Sequence, residues 1–213
     1  ISFVDFKSTA LSLAGIEPPD YVDGRAFAGE FQSSEPRQYI HAAADRFDRQ
    51  YDTIRAVRDE RFKYLRNYYP ERGYYLPLVY REQMPIMQEL LRLRDQNALT
   101  KVQSQWFREN KPREELFDTL TDPHELNNLA FDPSYNQKLL ELRSELESWL
   151  SGFEDKGMMS ELDFISEIWP GMEQPATISP IARSQYGRVV LSSLTPGANI
   201  GYQILGPGES SFR

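Results

Sequence analysis

The 213-residue sequence contains no cysteine and two histidines, His41 and His124. Without cysteine there is no disulfide, no thiolate metal site and no cysteine nucleophile. Two histidines leave little room for a nucleophile–histidine–acid triad. G-x-S-x-G, a phosphate-cradling glycine loop and H-E-x-x-H are all absent. No apolar run is long enough to span a bilayer. Basic residues are the minority, 24 Lys and Arg against 32 Asp and Glu for a net charge of −8, which argues against a general nucleic-acid binder. There is no basic-then-apolar leader at the Ile-Ser-Phe-Val start. That start and the Ser-Phe-Arg end read as cut ends, so a piece of a longer protein is expected.

Hydrophobic residues make up 40% and aromatics 13%, enough for a packed core. Phe3, Phe6, Ala10, Leu11, Leu13 and Ala14 recur at helical spacing over 1–15, with Gly15 as the stop. Residues 37–44, 53–58 and 61–68 read as a meander of three antiparallel strands. A charged loop over 45–52 and a turn at Asp59-Glu60 connect them. Tyr-rich 68–80 is expected over the surface, followed by helices at 82–97 and 99–108 and an edge strand at 116–119. Tyr135, Leu139, Leu142, Leu146, Trp149 and Phe153 form the clearest helical stripe. Asp132 and Pro133 supply its cap and first turn. Composition changes at 169–180, the candidate linker. Beyond it, 188–192 and 200–205 read as two strands flanking Thr195-Pro196-Gly197.

Three clusters invite a chemical reading. Residues 114–130, EELFDTLTDPHELNNLA, gather Asp118, Asp122, His124 and Glu125. A metal site would need a second imidazole or several convergent carboxylates. Asp122-Pro123, with Glu125 three residues after Asp122, fits instead a capped helix start worth about 1 kcal/mol. The stretch is therefore expected to be structural. His41, at the end of a strand, leads into Asp45, Arg46, Asp48 and Arg49, the candidate substrate-binding residues. Arg forks hold sulfate or carboxylate bidentately and Asp accepts from sugar hydroxyls. Loops set on a rigid sheet are where such contacts lie. The competing reading is a solvated loop whose charges pair with one another. Arg55, Arg58, Arg61, Lys63 and Arg66 are expected along one solvated face. Tyr68, Tyr69, Tyr74 and Tyr75 would either stack a sugar ring or pack over the sheet.

Three stretches together resemble the C-terminal part of a sulfatase of the alkaline-phosphatase superfamily: SFVDFKSTALSLAGIEPPDYVDGRAF, IRAVRDERFKYLRNY and ELFDTLTDPHELNNLA. They look like a helix ending in Leu-Ala-Gly-Ile, a strand pair with Arg-x-x-Lys-Tyr, and a Glu-Leu-(Tyr/Phe)-Asp…Asp-Pro-x-Glu…Asn-Leu-Ala signature. Lys7-Ser8 departs from the Pro-Thr usual in that helix. Residues 43–49 and the Tyr-rich insertion are most like sulfamidase-type and related glycan sulfatases. VVLSSLTPGANIGYQIL resembles the small β domain at the end of chitobiases and some hexosaminidases.

The resemblance implies an α+β fold: a small antiparallel sheet of about four strands packed by a long C-terminal helix, plus a short β segment at the end. Residues 1–168 would be the sulfatase portion, 169–180 the linker and 181–213 a partial β module. The implied parent hydrolyses sulfuric esters of glycans with a formylglycine nucleophile and Ca²⁺. It is implied to be periplasmic or secreted. The Cys/Ser-x-Pro-x-Arg motif does not occur here, so no catalytic and no metal residue is assigned, and the chain alone is expected to be inactive. The expected partners are the N-terminal catalytic region of the same protein and a sulfated carbohydrate, with no nucleic acid and no membrane span. Two alternatives stay open: a phosphonate or phosphate monoester hydrolase of the same superfamily, and a non-catalytic carbohydrate-binding or interaction module.

Overall fold

The computed structural model describes residues 1–206. The chain divides into two compact units, Ile1–Met158 and Met159–Arg213. Unit 1 opens with α1 (Asp5–Leu13). A meander follows: β1 (Ile40–Phe47), β2 (Gln50–Arg58) and β3 (Phe62–Asn67). After the short helix α2 (Val79–Glu82) come α3 (Pro85–Asp95) and α4 (Lys101–Ser104), then the edge strand β4 (Glu114–Asp118) and the long helix α5 (Asn136–Ser151). The sheet is antiparallel in the order β1-β2-β3-β4. Among the described residues, no helix is long and apolar enough to cross a membrane.

Register decides which face is core. Val57 opposes Tyr64, and Tyr64 opposes Leu116, so these three share the face that packs on Leu139, Leu142 and Leu146 of α5. The three leucines sit at i, i+3 and i+7, one helical stripe. Asp132 caps the entry to this helix, its carboxylate accepting from Ser134 N–H at 2.9 Å, with Pro133 in the first turn. Tyr64, buried in this layer, donates to Glu114 Oε1 at 2.5 Å, and Arg143 of α5 grips both Glu114 oxygens at 2.8 Å. Burial, followed by the bond to Glu114, pushes the Tyr64 phenol well above its ordinary range.

The first helix forms, but its apolar stripe is not its packed face. Phe3 is 88% exposed and Leu13 67%, while Asp5, Ser8, Thr9 and Ser12 are buried. The loop after the helix runs back along this polar side, and helix side chains satisfy its backbone. Asp5 Oδ1 accepts from Arg25 N–H, Thr9 Oγ1 from Phe27 N–H and Ser12 Oγ from Phe31 N–H, at 2.9–3.1 Å. Ser8 Oγ donates to the Gly24 carbonyl at 2.7 Å. Gly24 and Gly29 allow the approach, since a Cβ on either would overlap helix backbone. Such buried loop amides need partners, and short hydroxyl side chains supply them where leucine could not.

Two more expectations change. Asp122 starts no helix: Glu125 takes a left-handed backbone (φ 54°), and the Asp122 carboxylate accepts from Asn127 N–H at 2.7 Å. Asp and Pro cap equally well a tight turn that is not continued. In unit 2, α6 (Glu161–Ile168) precedes β5 (Ile181–Gln185) and β6 (Arg188–Ser192), an antiparallel hairpin. The partner of 188–192 is thus 181–185, and 200–205 forms no strand. The reason is local: Tyr186 and Gly187 both have positive φ, the two-residue turn whose twist matches paired strands. Of the β module expected over 181–213, residues 207–213 lie outside the described residues.

Candidate functional site

The expected substrate loop is the tip of the β1–β2 hairpin. Phe47 pairs with Gln50, leaving Asp48 and Arg49 as a two-residue turn, with Asp48 left-handed at φ 54°. The ladder slips between Ala44–Ile54 and Arg46–Tyr51, so Asp45 alone stands opposite two residues of β2, Asp52 and Thr53, and the bulge lies on β2. The Asp45 carboxylate is turned toward Arg55. Its Oδ1 lies 2.6 Å from Nη1 of Arg55, a guanidinium 2% exposed, in a close ion pair that is not an aligned hydrogen bond. Arg46 Nε donates to the Asp48 carbonyl at 2.5 Å and its guanidinium lies over the Tyr51 ring. Arg46, Asp48 and Arg49 stay exposed at the tip. Behind it, Gln50 donates to the Pro77 carbonyl and Arg72 to the Tyr51 carbonyl, tying the hairpin to the Tyr-rich segment.

Arg55 anchors the base of this hairpin. Its Nε and Nη2 clasp Asp155 at 3.0 and 2.7 Å, and Nη1 donates to the Ile54 carbonyl at 2.9 Å. Burial opposes its charge, but the bonds to Asp155 and the nearby Asp45 charge outweigh it and hold its pKa above the usual value. Asp155 in turn is held below the ordinary carboxylate range, first by Arg55 and then by Gly157 N–H. Gly157 lets the segment come this close, since a Cβ would displace the ends of the Arg55 and Asp45 side chains.

The basic run is therefore not a solvated face. Arg55 and Arg66 point to the α5 side and Arg58 and Lys63 to the other, because side chains alternate along strands. Arg61 clasps Asp118, Lys63 meets Glu125 at 2.6 Å, Arg66 meets Glu147, and Arg58 donates to Thr119 Oγ1. The acids of the 114–130 stretch are spent in the same way: Asp118 on Arg61, Glu125 on Lys63 and Asp122 on a backbone amide. Among the described residues, no three His, Cys, Asp or Glu side chains converge as a metal site. These residues do not fit a Ca²⁺ site. His41 serves structure: its ring stacks on Trp149 at 4.8 Å and its Nε2 lies 3.0 Å from Glu145 Oε1, fixing the edge strand to α5.

A second concavity escaped the sequence reading. It lies on the sheet face opposite α5, where Leu65 and Phe117 meet Tyr74, Trp106, Arg108 and His124 around about 410 Å³. Gln105, Trp106 and Arg108 belong to a segment read from sequence only as a short helix. The cue available was its composition, an aromatic pair Trp106-Phe107 followed at once by an arginine.

A four-stranded antiparallel sheet backed by one helix, with its charged meander locked by internal ion pairs, defines an α+β scaffold subdomain that offers exposed rims for contact. No protein-family model matches the chain, so the chitobiase-like end gains no support there. Over its whole length the chain is 51% identical to an ulvan-active sulfatase of Formosa agariphila, of which it spans 36%. A second ulvan-active sulfatase of that organism is 26% identical over 70% of the chain and 28% of its own length. Among solved structures, a 2-O GAG sulfatase shares 22% identity over 74% of this chain and 26% of its own, with a TM-score of 0.48. A phosphonate monoester hydrolase of Agrobacterium radiobacter shares 18% over 74% and 27%, with a TM-score of 0.39. The chain is a sulfatase segment of the C-terminal type, spanning about a third of the curated relatives that it matches.

Proposed function

We propose that this chain is the C-terminal portion of a sulfuric ester hydrolase acting on a sulfated glycan. The observation that carries the reading is 51% identity to an ulvan-active sulfatase over the entire chain, the terminal hairpin included. In this reading the formylglycine nucleophile and Ca²⁺ belong to the remainder of the parent, which also covers the open apolar side of α1. The chain itself stabilises one wall of the cleft and presents the hairpin tip, Arg46, Asp48 and Arg49, to the substrate. Asp45, paired with Arg55, supports the tip from behind. Residues 1–168 are the sulfatase portion, 169–180 the linker and 181–213 a partial β module; limited proteolysis confined to 169–180 would support that partition.

The test uses the full-length parent, with ulvan oligosaccharides and a small aryl sulfate as substrates. A charge-assisted contact is worth about 1.5–3 kcal/mol, so Arg46→Ala or Arg49→Ala raises KM for the oligosaccharide by roughly tenfold or more. KM for the aryl sulfate stays unchanged. Equal changes on both substrates sink the tip as a substrate contact. Absence of sulfate release from either substrate sinks the hydrolase reading itself.

A further inference from the structure

The hollow on the open face of the sheet is built more deliberately than a packing defect. Its wall is set by two backbone contacts. Tyr75 N–H donates to the Trp106 carbonyl at 3.0 Å. Gly73 lies so close to the Arg108 carbonyl that any Cβ there would overlap it. Thr100 and Gln103 form a reciprocal capping box that fixes the start of α4 just before this wall. Trp106 packs edge-on against Tyr75 and carries the Arg81 guanidinium over its ring at 5.1 Å, which orients the indole. The apolar floor is Leu65 and Phe117.

Charge at this hollow is unusual for so acidic a chain. Two carboxylates line it, and both are already engaged. Glu115 accepts from Tyr74 OH and from Asn67 Nδ2, and Glu125 is ion-paired to Lys63. Arg108 is the exception: exposed at the hollow, it has no ion pair among the described residues, whereas Arg55, Arg58, Arg61 and Arg66 of the meander are engaged. An unengaged guanidinium presents a bidentate fork suited to a sulfate or carboxylate. Aromatic walls with an apolar floor suit the C–H face of a sugar ring, and His124 and Gln105 add polar groups around it. The volume falls within the range of small-molecule sites.

We infer that this hollow is a saccharide subsite for a sugar ring bearing an anionic substituent, with Arg108 holding the anion and Trp106 and Tyr74 framing the ring. The choice of a sulfated or uronic sugar rests on the glycan-sulfatase reading above; the presence of a site rests on the geometry alone.

The experiment measures full-length parent enzyme with ulvan oligosaccharides, both as substrate and, by calorimetric titration, as ligand. Because the Arg108 side chain is exposed, Arg108→Ala is expected to leave Tm unchanged. It raises KM and Kd for the oligosaccharide about tenfold, with kcat and the aryl-sulfate KM unaffected. Arg108→Lys restores only part of the loss, because the ammonium keeps the charge and not the fork. Oligosaccharide Kd unchanged in Arg108→Ala overturns the subsite, as does a fall in Tm with no change in Kd, which would make the hollow a packing surface for the rest of the parent. Weakened oligosaccharide binding in a parent that releases no sulfate from either substrate supports the subsite and removes the sulfatase reading.

Discussion

Replacing Arg55 by Met tests how the hairpin is held. The methionine is apolar and broadly fills the space, so packing is largely kept while the charge is removed. What remains are two carboxylates brought together for a cation that is gone. Breaking a buried pair by deleting one partner costs about 3–5 kcal/mol, mostly from the charge left behind. Asp155 is 23% exposed and Asp45 41%, so water can reach the second and partly the first. That discount puts the expected loss near the lower bound, about 3 kcal/mol, or about 9 °C in Tm for a unit of this size. Urea unfolding followed by circular dichroism measures the loss. Hydrogen exchange supplies the local reading: the Gly157 amide, which donates to Asp155, should lose protection before the Leu139–Leu146 turns of α5 do. A loss below about 0.5 kcal/mol, the scatter of neutral surface changes, would refute the claim that this cation anchors the 154–158 segment to the sheet.

Other outcomes follow from the same packing. Leu142→Ala empties a fully buried position between α5 and the sheet and should cost about 3 kcal/mol by denaturant titration, against under 1 for Leu140→Ala on the exposed side. Asp5, Asp59, Glu114 and Asp155 all have pKa values lowered below 3.8 or 4.5 in the fold. Their stabilisation is complete above those ordinary values and is lost as pH falls through the lower folded ones. Unfolding free energy should therefore decline steadily below about pH 4, less steeply in Asp155→Asn; a flat profile from pH 5 to 2 contradicts the pairing. Phe6→Ser, on the open side of α1, removes ring contacts to Phe3 and Phe27 and should cost this chain about 1 kcal/mol but the full-length parent about 3, where the proposed remainder covers the rest of the ring. Equal small effects in both would show that the parent leaves this face open.

Several features were legible without coordinates because they depend on neighbours close in the chain. The 135–153 stripe, the Asp132-Pro133 cap and the strand–turn–strand pattern around Asp59-Glu60 are local, and the structure repeats them within a few residues. Features that depend on distant partners were not legible. The period of α1 marks where its apolar residues lie. It does not say that a returning loop would need hydroxyl and carboxylate partners from the other side. Arg55, Arg58, Arg61, Lys63 and Arg66 look alike in sequence. Register sends them to opposite faces of the sheet and gives each its own partner. The charged loop expected over 45–52 shrinks to the turn Asp48-Arg49, because strand pairing continues through Phe47 and Gln50, and Asp45 is drawn to Arg55 of the neighbouring strand. The hollow at Trp106 and Arg108 assembles from segments some 50 residues apart, held by a glycine contact that no spacing announces.

By itself the sequence determined the first helix, the meander, the core stripe of α5 and, through three ordered stretches, a sulfatase-like character that 51% identity over the whole chain bears out. Those properties reside in local propensity and apolar period, which act over one or two turns. The tertiary structure alone decided which face of each element is covered and which charges are spent on one another. Desolvation and ion pairing act between groups set side by side by the fold, wherever in the chain they arise.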